Sequence, residues 1–213
     1  MRTDDLIARL SEGLQPVRKA AVGRTLAVGL IGGIIGSALL MVATMGIRPD
    51  LLVAMADGAF WMKFTYTIVI AALGLWIVER LGRPGTEVKR PLALLVLPVV
   101  AILVLMAIQL APANADRHAL IMGHSAKVCA LLIALLAIPL FGGIFLALRQ
   151  LAPTRLAQAG AAAGLLAGGA AATIYAFHCG ESAAPFVAIW YSLGMLACAL
   201  LGWALGPMLL RWR

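Results

Sequence analysis

Uncharged apolar runs alternate with short charged connections along this chain. The runs are Thr25–Ile47, Phe64–Val78, Pro91–Ala115, Val128–Leu148, Leu156–Cys179 and Ser182–Leu210. A helix rises about 1.5 Å per residue and the hydrocarbon core of a bilayer is about 30 Å thick, so about 20 apolar residues cross it. Five of the six runs reach that length. The Phe64 run is shorter, but it extends back through Phe60, Trp61 and Met62, with Lys63 expected to reach its amine up to the headgroups. The pattern predicts an all-α polytopic membrane protein: a bundle of six transmembrane helices over about 25–47, 60–78, 91–112, 128–148, 156–178 and 183–210. These form one domain, 25–213, after an N-terminal segment, 1–24. That segment carries both charge signs ahead of a long apolar run, so the first span reads as a retained anchor and not as a cleaved signal.

Composition agrees. At 63% hydrophobic and 12% charged residues, the chain carries more apolar surface than a soluble domain of this size can bury, and the bilayer is its implied solvent. The basic residues then set the orientation. Arg2, Arg9, Arg18, Lys19, Arg24, Arg80, Arg83, Lys89, Arg90, Arg149, Arg155, Arg211 and Arg213 lie before the first span, in even-numbered connections or after the last span. Those are thirteen of the seventeen Lys and Arg residues. Arg48, Lys63, Arg117 and Lys127 lie on the other side. Both termini are therefore expected in the cytoplasm. The net charge of +8 is absorbed by this membrane-flanking pattern, which leaves no continuous basic patch and argues against direct nucleic-acid binding.

Within 1–24, Thr3 is placed to cap a helix with Asp4 and Asp5 in its first turn, where negative charge suits the helix dipole. Leu6, Ile7, Leu10 and Leu14 form one apolar stripe, and Pro16 should end the helix. So short a helix is marginal alone in water, and its stripe needs the membrane surface or a partner's groove to lie on. The second connection, Glu79–Arg90, with Pro84 and Gly85, reads as a solvated turn. Small residues recur every four positions: Gly29/Gly33 and Gly32/Gly36 in the first span, Gly160/Gly164/Gly168 in the fifth, Gly194/Cys198/Gly202/Gly206 in the sixth. Such stripes let helices approach closely, and Cys198 is read as a structural member of one. Pro98 and Pro139 are expected to kink the third and fourth spans. The runs lack the intramembrane ionisable groups that pumps and ion-coupled carriers use.

The odd-numbered connections hold different chemistry. Cys129 opens the fourth span, His118 and His124 precede it, and His178-Cys179-Gly180-Glu181 forms the tip between the fifth and sixth. All of these share one depth at the outer interface. Three readings stand: unconnected residues, a Cys129–Cys179 disulfide in an oxidising compartment, or a soft-metal site. Two thiolates with an imidazole (His178 or His124) suit Cu(I), Zn(II) or another thiophilic ion, with Glu181 beside them. No GxSxG elbow or paired carboxylates mark a hydrolase, and the CxxC of thiol oxidoreductases is missing. The rival class is a small membrane permease or membrane enzyme subunit with a thiol or metal site at its outer face.

The chain resembles the NrsF family, negative regulators of sigma F. The resemblance rests on the opening Thr3-Asp4-Asp5-Leu6-Ile7 with Leu10, on Cys129 at the entry to the fourth span, and on Tyr175-Ala176-Phe177-His178-Cys179-Gly180-Glu181. Trp190-Tyr191, Gly206-Pro207 and Arg211-Trp212 add to it. It implies a non-enzymatic six-span anti-sigma factor of the bacterial inner membrane, with no obligatory cofactor. Its partner would be an extracytoplasmic-function sigma factor, released under metal stress. It also implies a sensing role for the two outward cysteines, whose places are taken here by Cys129 and Cys179.

Overall fold

The computed structural model describes residues 3–11, 21–83, 85–112, 116–151 and 153–211. Every regular element among them is helical. In order they are α1 (Thr3–Ser11), α2 (Ala21–Thr44), α3 (Leu51–Met55), α4 (Gly58–Leu81), α5 (Lys89–Leu94), α6 (Val96–Leu110), α7 (Arg117–Met122), α8 (Ala126–Arg149), α9 (Leu156–Tyr175) and α10 (Ala184–Phe186). A π-helical turn, Val187–Tyr191, then leads into α11 (Ser192–Leu209). Six stretches are long and apolar enough to cross a membrane: Val22–Thr44, Gly58–Leu81, Lys89–Leu110, Arg117–Arg149, Leu156–Tyr175 and Ala184–Leu209. Helices run past several of the uncharged runs and take in Arg24, Glu79 and Arg80, because a helix continues into the interface where water solvates charged side chains.

α9 lies at the centre, packed on α11, α4 and α8, with α2 packed mainly on α8 and touching α9. Its composition makes this possible. Lipid tails give apolar helices no reason to prefer one another, so association depends on close van der Waals approach. Gly160, Gly164 and Gly168 of α9 face α11, where any side chain would strike the backbone of Gly202, Cys198 or Met195. Gly74 of α4 and Gly169 of α9 form a second close seam, against Leu166 and Ala71. Gly29 and Gly33 of α2 meet Gly143 and Leu140 of α8, and Gly36 meets Pro139, but nothing lies within 4 Å of a side chain built at Gly32. Of the two overlapping pairs in the first span, one is therefore a complete seam and the other only half of one. Cys198 is fully buried between Gly164 and Gly168.

The outward faces carry the remaining large apolar residues, such as Val28, Ile35 and Leu39 on α2 and Leu131, Ile138 and Leu146 on α8, all exposed. The third span stands at the rim, 11% buried. It breaks at Leu95, between α5 and α6. Pro98 has no N–H for the carbonyl one turn before it, which explains the interruption there. Pro139 sits inside α8 without ending it. The second connection is more than a solvated turn: Thr86 donates to the Arg80 carbonyl, Arg80 donates to the Glu87 carbonyl at 2.8 Å, and Gly85 takes φ +77°.

Candidate functional site: a thiol pair at one end of the bundle

Six crossings put α1 and the last residues of α11 at one end of the bundle. Residues 45–57, the α7 region and the tip 176–183 lie at the other. At this second end the fourth, fifth and sixth spans converge on two sulfurs. Cys129 sits in the first turn of α8, its N–H bonded to the Ser125 carbonyl at 2.9 Å, and it is fully buried. Cys179 follows the end of α9, its N–H bonded to the Tyr175 carbonyl at 2.9 Å, and is 3% exposed. Both thiols are free, and each lies close enough to act on the charge of the other, 50 positions apart in sequence. Ser125 Oγ stands 3.9 Å from Cys179 Sγ.

Two tyrosines and a lysine complete the surroundings. Tyr191 closes the π-helical turn, and the Tyr175 ring lies tilted against it, 5.8 Å between centroids. A π turn adds a residue to the helical repeat and re-aims the side chains that follow. The Tyr191 hydroxyl is fully buried and has no partner at strict hydrogen-bond geometry, yet it lies near enough to Cys179 to favour negative charge there. The neighbouring Cys129 thiol is the largest influence on Cys179. With the charge of Lys63 and the Tyr191 hydroxyl, it holds the Cys179 thiol well below the usual thiol range, against the opposing effect of burial.

Lys63 is where the sequence reading fails. Its amine does not reach the headgroups. The residue is fully buried and turned into the bundle, donating to the carbonyls of Cys179 and Glu181 at 2.8 Å each. The ring faces of Phe60 and Tyr191 lie 6.0 and 5.8 Å away. The reason is local: carbonyls left free by the short tip offer the ammonium charge-assisted bonds, and aromatic faces line its path. Arg48 belongs to the same structure. It pairs with Asp50 at 2.6 Å, donates to the Cys179 carbonyl at 3.4 Å, and its N–H reaches the Phe177 carbonyl at 3.1 Å.

The remaining candidate residues divide. Glu181 accepts from the His124 N–H at 2.7 Å and faces its ring Nδ1 at 3.2 Å. Gly123 makes that approach possible: at φ +48°, a side chain would sit 2.6 Å from the Glu181 carboxyl carbon. His178 turns away from the sulfurs, with Nδ1 on the Gly46 carbonyl at 3.0 Å. His118 is exposed on α7. Among the described residues, no three His, Cys, Asp or Glu side chains are grouped to hold a metal. What the site offers a thiophilic ion is the two sulfurs, a donor pair suited to two-coordinate Cu(I).

At the opposite end, Asp4 and Asp5 occupy the first turn of α1, and Leu6 and Ile7 are 41% and 58% exposed. Leu10 falls on the same helix, while Leu14 and Pro16 lie outside the described residues.

Fold and site together define a polytopic helical bundle with a buried thiol pair at one end and a short amphipathic helix at the other. A family model described as "Negative regulator of sigma F" matches residues 10–212. The chain is 41% identical over 213 residues to "Probable anti-sigma-F factor NrsF" of Azospira oryzae. It is 38% identical over 215 residues to "Anti-sigma-F factor NrsF" of Caulobacter vibrioides, and both matches cover 100% of each chain. The chain belongs to the negative regulator of sigma F family, a family of regulators and not of enzymes. No solved structure matches it.

Proposed function

We propose that this chain is an anti-sigma factor of the bacterial inner membrane. It holds an extracytoplasmic-function sigma factor at its cytoplasmic end and releases it when Cys129 and Cys179, at the outer end, meet a thiophilic metal ion or an oxidant. The names of its relatives support the sigma partner. The observation that carries the sensing half is the pairing of two buried, free thiols at the end of the bundle remote from α1. The placement of thirteen of seventeen Lys and Arg residues supports termini in the cytoplasm.

The chemistry needs only these sulfurs. Oxidation takes two electrons and two protons from the pair and forms one S–S bond. A metal ion instead displaces the thiol protons and bridges the sulfurs. Either event ties the start of α8 to the turn between the fifth and sixth spans. α8 also carries α2, which leads directly from the N-terminal segment. A shift of α8 against α9 therefore reaches the end where the partner is held. Moving sigma from mostly bound to mostly free takes a differential of about 5 kcal/mol between the two states, a size that a covalent or metal–thiolate bond supplies.

The holding surface is α1, whose exposed Leu6 and Ile7 suit a groove on the partner. Leu6→Asp puts a charge in the apolar stripe while touching no span. Sigma factor should co-purify with the detergent-solubilised chain and be lost from Leu6→Asp, with the yield of bundle unchanged. Full retention by Leu6→Asp and by a chain lacking residues 1–15 would place the binding surface elsewhere.

A further inference from the structure

The turn that follows Cys179 has little backbone support. Among the described residues, residues 180–182 make no backbone–backbone hydrogen bond. Groups from elsewhere in the chain hold the turn. Gln109 accepts from the Ala184 N–H at 2.8 Å, Glu181 is held by the His124 N–H, and Lys63 binds the carbonyls of Cys179 and Glu181. Among the described residues, only Lys63 and Arg48 reach the Cys179 carbonyl. Arg48 is committed to Asp50 by two bonds of 2.6 and 2.7 Å and meets the carbonyl at 3.4 Å, whereas Lys63 meets it at 2.8 Å. A fully buried ammonium is costly to desolvate and is kept only where its bonds are well made. No carboxylate among the described residues pairs with Lys63. Its hydrogen bonds are spent on the two carbonyls that flank Gly180.

We propose that Lys63 is the positioning residue of the thiol pair: by bridging the Cys179 and Glu181 carbonyls from α4, it sets the turn that points Cys179 at Cys129. Without it the turn loses the short tie at the Cys179 carbonyl, and the two sulfurs part. The consequence for sigma release rests on the sensing role proposed above; the geometry of the pair does not.

The test is disulfide formation in the full-length, membrane-embedded chain treated with diamide. Each reaction joins Cys129 Sγ to Cys179 Sγ, and the two hydrogens lost reduce the N=N bond of the reagent to a hydrazine. Lys63→Met keeps the unbranched apolar stem of the side chain and removes its charge and donors. It should slow disulfide formation by about tenfold or more, since small misplacements of reacting atoms cost that much. Lys63→Arg, which keeps the donors, should recover part of the rate. Labelling of Cys198 by a small maleimide reports the bundle itself. It should stay absent in Lys63→Met, whereas labelling of Cys179 should rise. A wild-type rate of disulfide formation in Lys63→Met overturns the proposal. Labelling of Cys198 in Lys63→Met and also in Lys63→Gln overturns it in favour of a general structural role. Sigma release is scored in the same membranes. A wild-type chain that forms the disulfide without releasing sigma defeats the sensing role and leaves Lys63 standing. Equal crosslinking and release in wild type and Lys63→Met defeats Lys63 and leaves the sensing role standing.

Discussion

Cys179 differs from Cys198 in what faces its sulfur. Cys198 lies against Gly164 and Gly168, whereas Cys179 has the Cys129 thiol, Lys63 and the Tyr191 hydroxyl beside it. These groups favour its thiolate, so the sign of the pH effect follows. An ordinary thiol titrates near pH 8.5 and loses about tenfold in alkylation rate per unit below that. Cys179, with its titration moved down, should keep a flat rate through neutral pH and fall only in acid. Iodoacetamide labelling of the solubilised chain from pH 5 to 9, resolved by peptide mass, checks this; an ordinary thiol profile at Cys179 would contradict it. The shared depth of Cys129 and Cys179 was legible in the sequence, because alternate connections must surface together. The roles of Lys63 and Arg48 were not. Both look like stray flanking charges until their contacts with carbonyls about 116 to 131 positions away are seen. Tyr191 was hidden for another reason: the π-helical turn shifts the register that a regular helix would give it.

Helices in this bundle meet through glycine, and the seams are unequal. A side chain at Gly164 would enter the backbone of α11 at Cys198, while one at Gly32 would meet open space. Gly164→Ala should therefore destabilise the solubilised bundle by about 1–3 kcal/mol through overpacking, read as a lower midpoint of thermal aggregation. Gly32→Ala should change that midpoint little. Equal effects at the two sites would refute the packing of α9 on α11. Spacing in the sequence gave the stripes and their helices, since small residues at every fourth position share a face. It did not give their partners, because apolar runs in lipid carry no signal of who packs on whom. The break at Leu95 shows the same limit. Pro98 marked a disturbance in the third span, and its position one turn upstream follows only from the backbone bond that proline cannot make.

The whole molecule reads as a two-ended device: a thiol pair where three spans converge, an amphipathic helix at the far end, and a glycine-seamed stack of α2, α8, α9 and α11 between them. The six apolar runs made the architecture legible at once, because lipid leaves charge no place within them. Signalling from one end to the other predicts that the cysteines act as a unit, since two ends of one bond cannot contribute separately. The direct measurement is sigma factor retained on the full-length chain, with and without diamide or Cu(I), in wild type, Cys129→Ser, Cys179→Ser and the double variant. Wild type should release sigma on treatment. Each single variant should hold it throughout, and the double variant should be no worse than either. Release that persists in both single variants would remove the thiol pair from the mechanism.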